Sequence, residues 1–590
     1  ARFKRGIECL EEYPDTAGRA FELMNKTMRE MHRGSFDSWR LFQLVFIVML
    51  LPDVASREYD EFTEATWRAD SAPGPHDEND VEDALDVVDV LWFPTGGGKT
   101  EAFLGVAVWS AFFDRFRGKD FGVTAWTRFP LRLLSMQQLQ RMAETMMYAD
   151  LTRREESAIA SSPAHAFSVG FMVGKRNTPN QLTGYRSNKA AELARDDKRR
   201  EDLKVLPTCP VCGSETRMEV IEEEHRLAHM CTGGELQCAW QQRDSDPETP
   251  YHPAEFPVHI VDNELYRYAP TILAGTIDKV TAVGYQRKMA HLISGEMEYE
   301  CPYHGFASLG ECTEKYGCEI PRDEFEDYAT PVEPYDPAPS LEVPDELHLL
   351  NESMGSFDAH YETGIHELQE MADAGQTKII APTATITSYD DQVYHLFVRE
   401  AERFPAPGPY LRGSFYAEES PELQRQYIGI TPHGKTHINA IIDLLFYYHK
   451  AIQDLLVTAV EEPDKLLDGD ILIPDSNAAE GPLDVESVPE LLDMLGDYTT
   501  SLTYLLAKKD GDRLDQSIRL QLADYFHKLD RPELNPDRMT GGTQFDEVQE
   551  RLDKLENPWH SGRDQEIVSS LIDQDIVDEE NKDVLIELRD

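Results

Sequence analysis

The chain has 590 residues, 41% hydrophobic and 28% charged, enough for three or four globular domains and unlike a disordered or fibrous protein. Its formal net charge of −52 argues against wrapping nucleic acid over a broad surface, although a locally basic groove remains compatible with it. The longest apolar run, LFQLVFIVMLL at 41–51, is too short to cross a bilayer, and eight cysteines do not make a disulfide framework. No secretory signal precedes that run, and the first residue is Ala1, which points to a processed product or an excerpt of something longer. Acidic residues are dispersed along the chain, with about 20 Lys against about 37 Arg. Such a surface suits a cytoplasm at very high salt, where screening tolerates self-repulsion. A halophilic source is therefore expected, with an ordinary acidic protein as the alternative.

Residues 1–80 read as a helical N-terminal segment, with FELMNKTMREM and SWRLFQLVFIVMLL as amphipathic or buried helices. It closes on a polar, Pro/Gly-bearing linker at 68–83. From 81 to 404 short apolar runs at 85–93, 121–129, 167–174, 270–277 and 377–386 alternate with helical patterns such as 100–116 and 132–149. That alternation predicts an α/β fold with a parallel sheet. Two cysteine-bearing inserts interrupt it, at 205–250 and 296–320, and PVEPYDPAPS at 331–340 is a stiff connection. Residues 405–590 are acidic and helical and lack a clear run of parallel strands; they read as the start of a second lobe. Charge runs such as 576–590 read as solvated faces, and DDKRREDLK (196–204) and RGKD are the modest basic clusters.

The stretch FPTGGGKTEAFLG at 93–105 follows the first predicted strand and opens a helix. A triphosphate needs converging backbone N–H groups, a lysine for its β- and γ-phosphates and a hydroxyl for Mg²⁺. Thr95, Gly96, Gly97, Gly98, Lys99 and Thr100 supply these in the required order, and Phe93 stands where the common loop begins with Gly or Ala. Hydrolysis also needs a carboxylate pair. PDELHLL offers Asp345 and Glu346, with His348 two residues on. In so acidic a chain a solvated turn is an equal reading, since the preceding SLEVP is a poor strand.

The cysteine spacing points to metal. CPVC (Cys209, Cys212) and CTGGELQC (Cys231, Cys238) give two close pairs about 20 residues apart, which suits a tetrahedral structural Zn²⁺ site. His225 and His229 could stand in for Cys231 or Cys238. Cys301, His304, Cys312 and Cys318 could form a second, mixed site, with reactive or packed thiols as the alternative.

Taken in order, the loop at 93–100, PLRLLSMQ (130–137), GTIDK (275–279), DELH (345–348) and the T-A-T of APTATI (381–386) each follow a predicted strand. The set resembles the first RecA-like domain of superfamily 2 helicases and translocases. Within them, LWFPTGGGKTEAFLG, FPLRLLSMQQLQR, GTIDKV and DELHLLNESMGSFDAHYET are similar to the helicase subunit of the DISARM anti-phage systems, over roughly 35–450. The resemblance implies a RecA-like P-loop domain using ATP and Mg²⁺, with DNA and a second subunit as partners, in the cytoplasm and without a membrane. It also implies roles. Lys99 and Thr100 would hold phosphates and Mg²⁺, Asp345 the metal shell, and Glu346 would activate water. His348, Thr383 and Thr385 would couple hydrolysis to strand movement. Arg132, Gln137, Thr276 and Lys279 would lie near the nucleic-acid backbone. Arg40 and Gln43 resemble an adenine-reading R-x-x-Q, an ordinary helix-surface glutamine being an equal reading. Superfamily 2 motors place an arginine finger on a second RecA domain, and residues 386–590 hold only the fragmentary QSIRLQ (516–521). The isolated chain is therefore expected to bind ATP and hydrolyse it poorly. The implied activity is ATP-dependent DNA translocation or unwinding. The alternatives are a nucleotide-gated DNA-binding switch and a zinc-braced scaffold with a vestigial ATP site.

Overall fold

The computed structural model describes residues 1–551 other than 34–35, 37, 66, 68–82, 95, 131, 161–164, 174–178, 185–186, 235, 243–251, 309–311, 313–317, 319, 321–323, 351, 385–387, 407, 409–413, 418–425, 468–487, 530, 532, 541–542, 544–546 and 548–550. The 68–83 linker, apart from Asp83, and the 576–590 charge run thus lie outside the described residues. The chain forms two compact units, Ala1–Pro421 and Glu422–Asp590.

Eight parallel strands make the first unit's sheet: β1 (Val87–Trp92), β2 (Ala125–Phe129), β3 (Val169–Met172), β4 (Val258–His259), β5 (Ile272–Thr276), β6 (Leu341–Pro344), β7 (Lys378–Thr383) and β8 (Glu400–Phe404). Their spatial order is β8-β1-β7-β6-β2-β5-β3-β4, and every pairing is parallel. The five predicted strands are all present. The sheet is buried on both faces, as parallel sheets are, and β1 shows how. Val88 and Val90 join Ile379, Ala381, Val393 and Leu396 in one core cluster. Asp89, pointing the other way, meets Arg2 of helix α1 (Arg2–Glu12), which also reaches Asp53 of helix α3 (Leu41–Ala55).

That second contact is a buried four-charge cluster. The Arg2 guanidinium donates to Asp89 at 2.5 and 2.8 Å and to Asp53 at 2.6 Å, and Lys378 lies 2.9 Å from Asp53 and 2.8 Å from Asp89. Burial opposes ionisation of Asp89, yet Arg2 and Lys378 hold it down at about 2. The long apolar run at 41–51 is thus a buried helix that carries Asp53 into the cluster, and it packs against both α1 and α4 (Lys99–Phe116). Helix α2 (Arg19–Met31) lies against α4 and α5 (Arg132–Arg154).

The weak strand SLEVP is a central strand of the sheet. Leu341 and Val343 are fully buried, and Glu342 is neutralised by Arg128 of β2. Ser340 donates to Asp114 of α4 at 2.9 Å, while Lys119 donates to the Ala338 carbonyl at 2.7 Å. Tertiary ion pairing, not propensity, fixes this strand in register.

Described residues of the second unit contain helices and no named strand. The helix His437–Glu461 is capped by Thr436, whose hydroxyl accepts from the Asn439 N–H. Its Ile442 and Leu445 pack with Leu514, Ile518, Leu522 and Phe526.

Removing one member of a buried charge cluster strands the others without compensation. Lys378→Met should destabilise the first unit by about 3–5 kcal/mol, whereas Lys4→Ala, in an exposed pair with Glu8, should change it by less than about 1 kcal/mol. Urea unfolding followed by tryptophan fluorescence checks both.

Candidate nucleotide site and metal centres

The phosphate loop connects β1 to α4. Phe93 stacks on Phe42 of α3, ring centroids 3.9 Å apart and 11° from parallel, which explains an aromatic where a small residue is usual. Gly96 and Gly98 take φ of +76° and +93°, conformations only glycine adopts without strain. A Cβ on Gly98 would also sit 2.7 Å from the Gln43 amide nitrogen. Arg40 Nη1 donates to the Gly97 carbonyl at 2.6 Å and Gln43 Nε2 to the Gly98 carbonyl at 2.8 Å. The Arg40 backbone N–H in turn donates to Gln43 Oε1 at 2.8 Å. The R-x-x-Q pair therefore clasps the loop's backbone.

Lys99, buried at the start of α4, donates to the Phe93 carbonyl at 3.0 Å. Burial lowers its pKa, against the opposing pull of Glu346 and Asp345. Those carboxylates follow β6, two strands from β1, with β7 between. The Asp345 N–H donates to the Arg128 carbonyl at 2.9 Å. Burial, then the neighbouring Glu346 carboxylate, pushes the Asp345 carboxyl up to about 6. Glu346 has φ +54°, a left-handed conformation that is strained for a glutamate. His348 Nδ1 lies 3.2 Å from Glu346 Oε2 and 3.0 Å from the Thr383 hydroxyl, so one imidazole joins the ends of β6 and β7.

Gly96, Gly98, Lys99, Thr100, Asp345 and Glu346 line a single cavity of about 940 Å³, as do Arg40, Gln43 and Gln137. The acidic pair therefore faces the phosphate loop and is not a solvated turn. Glu101, Asn25, Arg29 and Arg141 also line this cavity, and Arg141 of α5 pairs with Glu101. Sequence reasoning missed these because only the packing of α2 and α5 on α4 brings them there. Thr276 is buried at the end of β5, and the Lys279 ammonium is held by Asp262 at 2.7 Å. Arg132 opens α5; its side chain, Thr95 and Thr385 lie outside the described residues.

Both cysteine groups close. The antiparallel hairpin Thr216–Ile221/Arg226–Cys231 brings Cys231 back to the CPVC turn, and Cys209, Cys212, Cys231 and Cys238 place their sulfurs within 4.8 Å of one another. Four converging thiols suit tetrahedral Zn²⁺. His229 is instead a buried acceptor for the Val205 N–H, its pKa lowered by burial to about 3. Cys301, His304, Cys312 and Cys318 converge equally. The hydrogen bond with Cys312 holds the Cys301 thiol well below its ordinary value. His304 Nδ1 faces the sulfurs, 3.2 Å from Cys312, while Nε2 meets the Glu223 carbonyl at 3.0 Å. That carbonyl selects the tautomer whose Nδ1 lone pair faces the sulfurs. Arg267 ties the two inserts together, donating to the carbonyls of His304 and Glu224, each at 2.7 Å.

Fold and site together define a RecA-like parallel-sheet P-loop domain with two inserts able to hold zinc. No family model matches the chain. Over 451 residues it is 31% identical to the DISARM protein DrmA of Bacillus paralicheniformis, covering 71% of this chain and 37% of that protein. The chain thus resembles DrmA and spans just over a third of its length. A crystal structure of the DUF1998 helicase MrfA matches 65% of this chain and 32% of its own, at 10% identity and a TM-score of 0.30, too weak a likeness to bear on function. No helix among the described residues is long and apolar enough to cross a membrane.

Chain purified from zinc-supplemented medium should carry two equivalents of zinc by elemental analysis. Cys212→Ser and His304→Ala should each lose about one, and chelation should lower the melting temperature. Zinc content unchanged in either variant would contradict the corresponding site.

Proposed function

We propose that this chain is the ATP-binding part of a DNA-dependent ATPase of the superfamily 2 helicase or translocase type, acting in the cytoplasm in anti-phage defence. The observation that carries the reading is the convergence of Lys99, Thr100, Asp345 and Glu346 on one cavity. In that role the Gly96–Gly98 turn and Lys99 bind the phosphates, Thr100 and Asp345 hold Mg²⁺, and Glu346 orients the attacking water. Bound Mg²⁺ supplies charge neutralisation to the phosphates; the chain's own residues position them and the water. The contact from Glu346 through His348 to Thr383 gives a route by which a change at the γ-phosphate reaches the end of β7. Similarity to DrmA supports defence as the setting, together with partnership with further subunits. The N-terminal helices then brace the loop, the first compact unit, Ala1–Pro421, holds the first motor lobe, and Glu422–Asp590 begins the second. No arginine-finger motif lies in 386–590, so hydrolysis by this chain alone is slow. A dispersed acidic surface supports a halophilic source.

A second reading, a nucleotide-gated DNA clamp that does not step, is favoured by the same missing finger. Single-turnover hydrolysis without strand displacement by the full-length protein would select it.

In the full-length protein Glu346→Gln should keep nucleotide affinity within about threefold and lower DNA-stimulated turnover by about 10²–10⁴, while Lys99→Ala should lose nucleotide binding itself. Fluorescent-nucleotide titration alongside phosphate release checks this. DNA-independent turnover insensitive to Glu346→Gln, in dilute buffer and in multimolar potassium chloride alike, would refute the motor assignment.

A further inference from the structure

The carboxyl edge of the sheet carries one surface that the motifs above do not use. After β5, residues Ile277–Gly284 form 3-10 turns packed on α6 (Glu352–Met371), the helix that follows the acidic pair. Ile277 shares a core cluster with Leu347 and Leu350, so this turn and the 345–350 loop are neighbours. A Cβ on Gly284 would lie 3.9 Å from the Tyr361 ring, and Tyr361 lies 5.3 Å from Phe357, centroid to centroid. Around that junction large apolar side chains face solvent: Tyr285 is 76% exposed and Phe357 57%. Directly after Tyr285 come Gln286, Arg287 and Lys288, a basic run in a chain of net charge −52. Arg287 is exposed, and no ion pair among the described residues involves it.

We propose that Tyr285, Phe357 and Arg287 form a platform for single-stranded DNA, with bases stacking on the two rings and a phosphate held by the guanidinium. The inference rests on the DNA-dependent ATPase reading and adds the surface that grips the strand. Exposed aromatics interleaved with cations are the pattern that binds unpaired nucleic acid without sequence preference. Stacking does not weaken with salt as phosphate contacts do, so it suits a protein this acidic. The position is also suitable: in open α/β sheets ligands sit outside the carboxyl ends of the strands. The turn that leads into Tyr285 packs, through Ile277, on Leu347 and Leu350 of the loop that carries Asp345 and Glu346. Lys279, by contrast, is already paired with Asp262, which places the grip further along the turn than the GTIDK motif itself.

The test is fluorescence anisotropy of the 590-residue chain with a fluorescein-labelled 20-nucleotide oligo(dT), across a salt series, with nucleotide affinity and melting temperature measured in parallel. Y285A/F357A should weaken DNA binding by about tenfold or more, and Tyr285→Trp should restore it to within about threefold. Arg287→Gln should reduce the slope of log K against log salt by about 0.7. Nucleotide affinity should stay unchanged throughout. If the double variant lowers the melting temperature, Arg287→Glu reads the same surface through an exposed side chain. Wild-type binding that none of these variants alters overturns the platform and leaves the ATPase reading intact. A wild-type chain that binds nucleotide but no oligo(dT) at all overturns both. Loss of a protein partner with DNA binding intact reassigns the surface to protein contact and overturns the proposal.

Discussion

Asp89 sits in the middle of the strand that ends in the phosphate loop, and its burial constrains much of what surrounds it. A carboxylate at the centre of a parallel sheet is tolerable only when paired, and Arg2 and Lys378 pair it. Asp53 of α3 completes the cluster. The consequence is geometric. With α1 and α3 held against β1, the start of α3 lies over the loop, where Arg40 and Gln43 clasp the carbonyls of Gly97 and Gly98. The N-terminal helices are thus part of the unit that shapes the loop.

A second set of buried charges performs the same task on the acidic side of the cavity. Glu342 would not lie in a central strand without Arg128, nor Ser340 begin that strand so firmly without Asp114. Together they deliver Asp345 and Glu346 opposite Lys99. The strained Glu346 backbone and its imidazole neighbour show that this turn is held in place by its surroundings.

The sequence disclosed what depends on local chemistry. Apolar strands and the glycines of the loop carry their reason within a dozen residues, and the close pairing of the cysteines within about thirty. Contacts made at long range stayed hidden. SLEVP reads as a poor strand, because the Arg128 that neutralises Glu342 lies far away in the chain. EAERF, the edge strand β8, is polar and only partly buried along most of its length. Two-residue β4 is too short for any periodicity to show. The reach of Arg40 and Gln43 onto the loop, the entry of Glu101 and Arg141 into the cavity, and the bridge from His304 to Glu223 all arise from packing between elements.

The proposed function requires that Lys99 and the Asp345–Glu346 pair act on one metal-bound nucleotide. Electron paramagnetic resonance with Mn²⁺ in place of Mg²⁺ addresses it most directly. With ATP and the wild-type chain, one bound Mn²⁺ should show coupling to phosphorus nuclei. Lys99→Ala and Asp345→Asn should each abolish that bound signal. A phosphorus-coupled ion that persists undiminished in Asp345→Asn would place the nucleotide's metal away from this acidic pair and contradict the account.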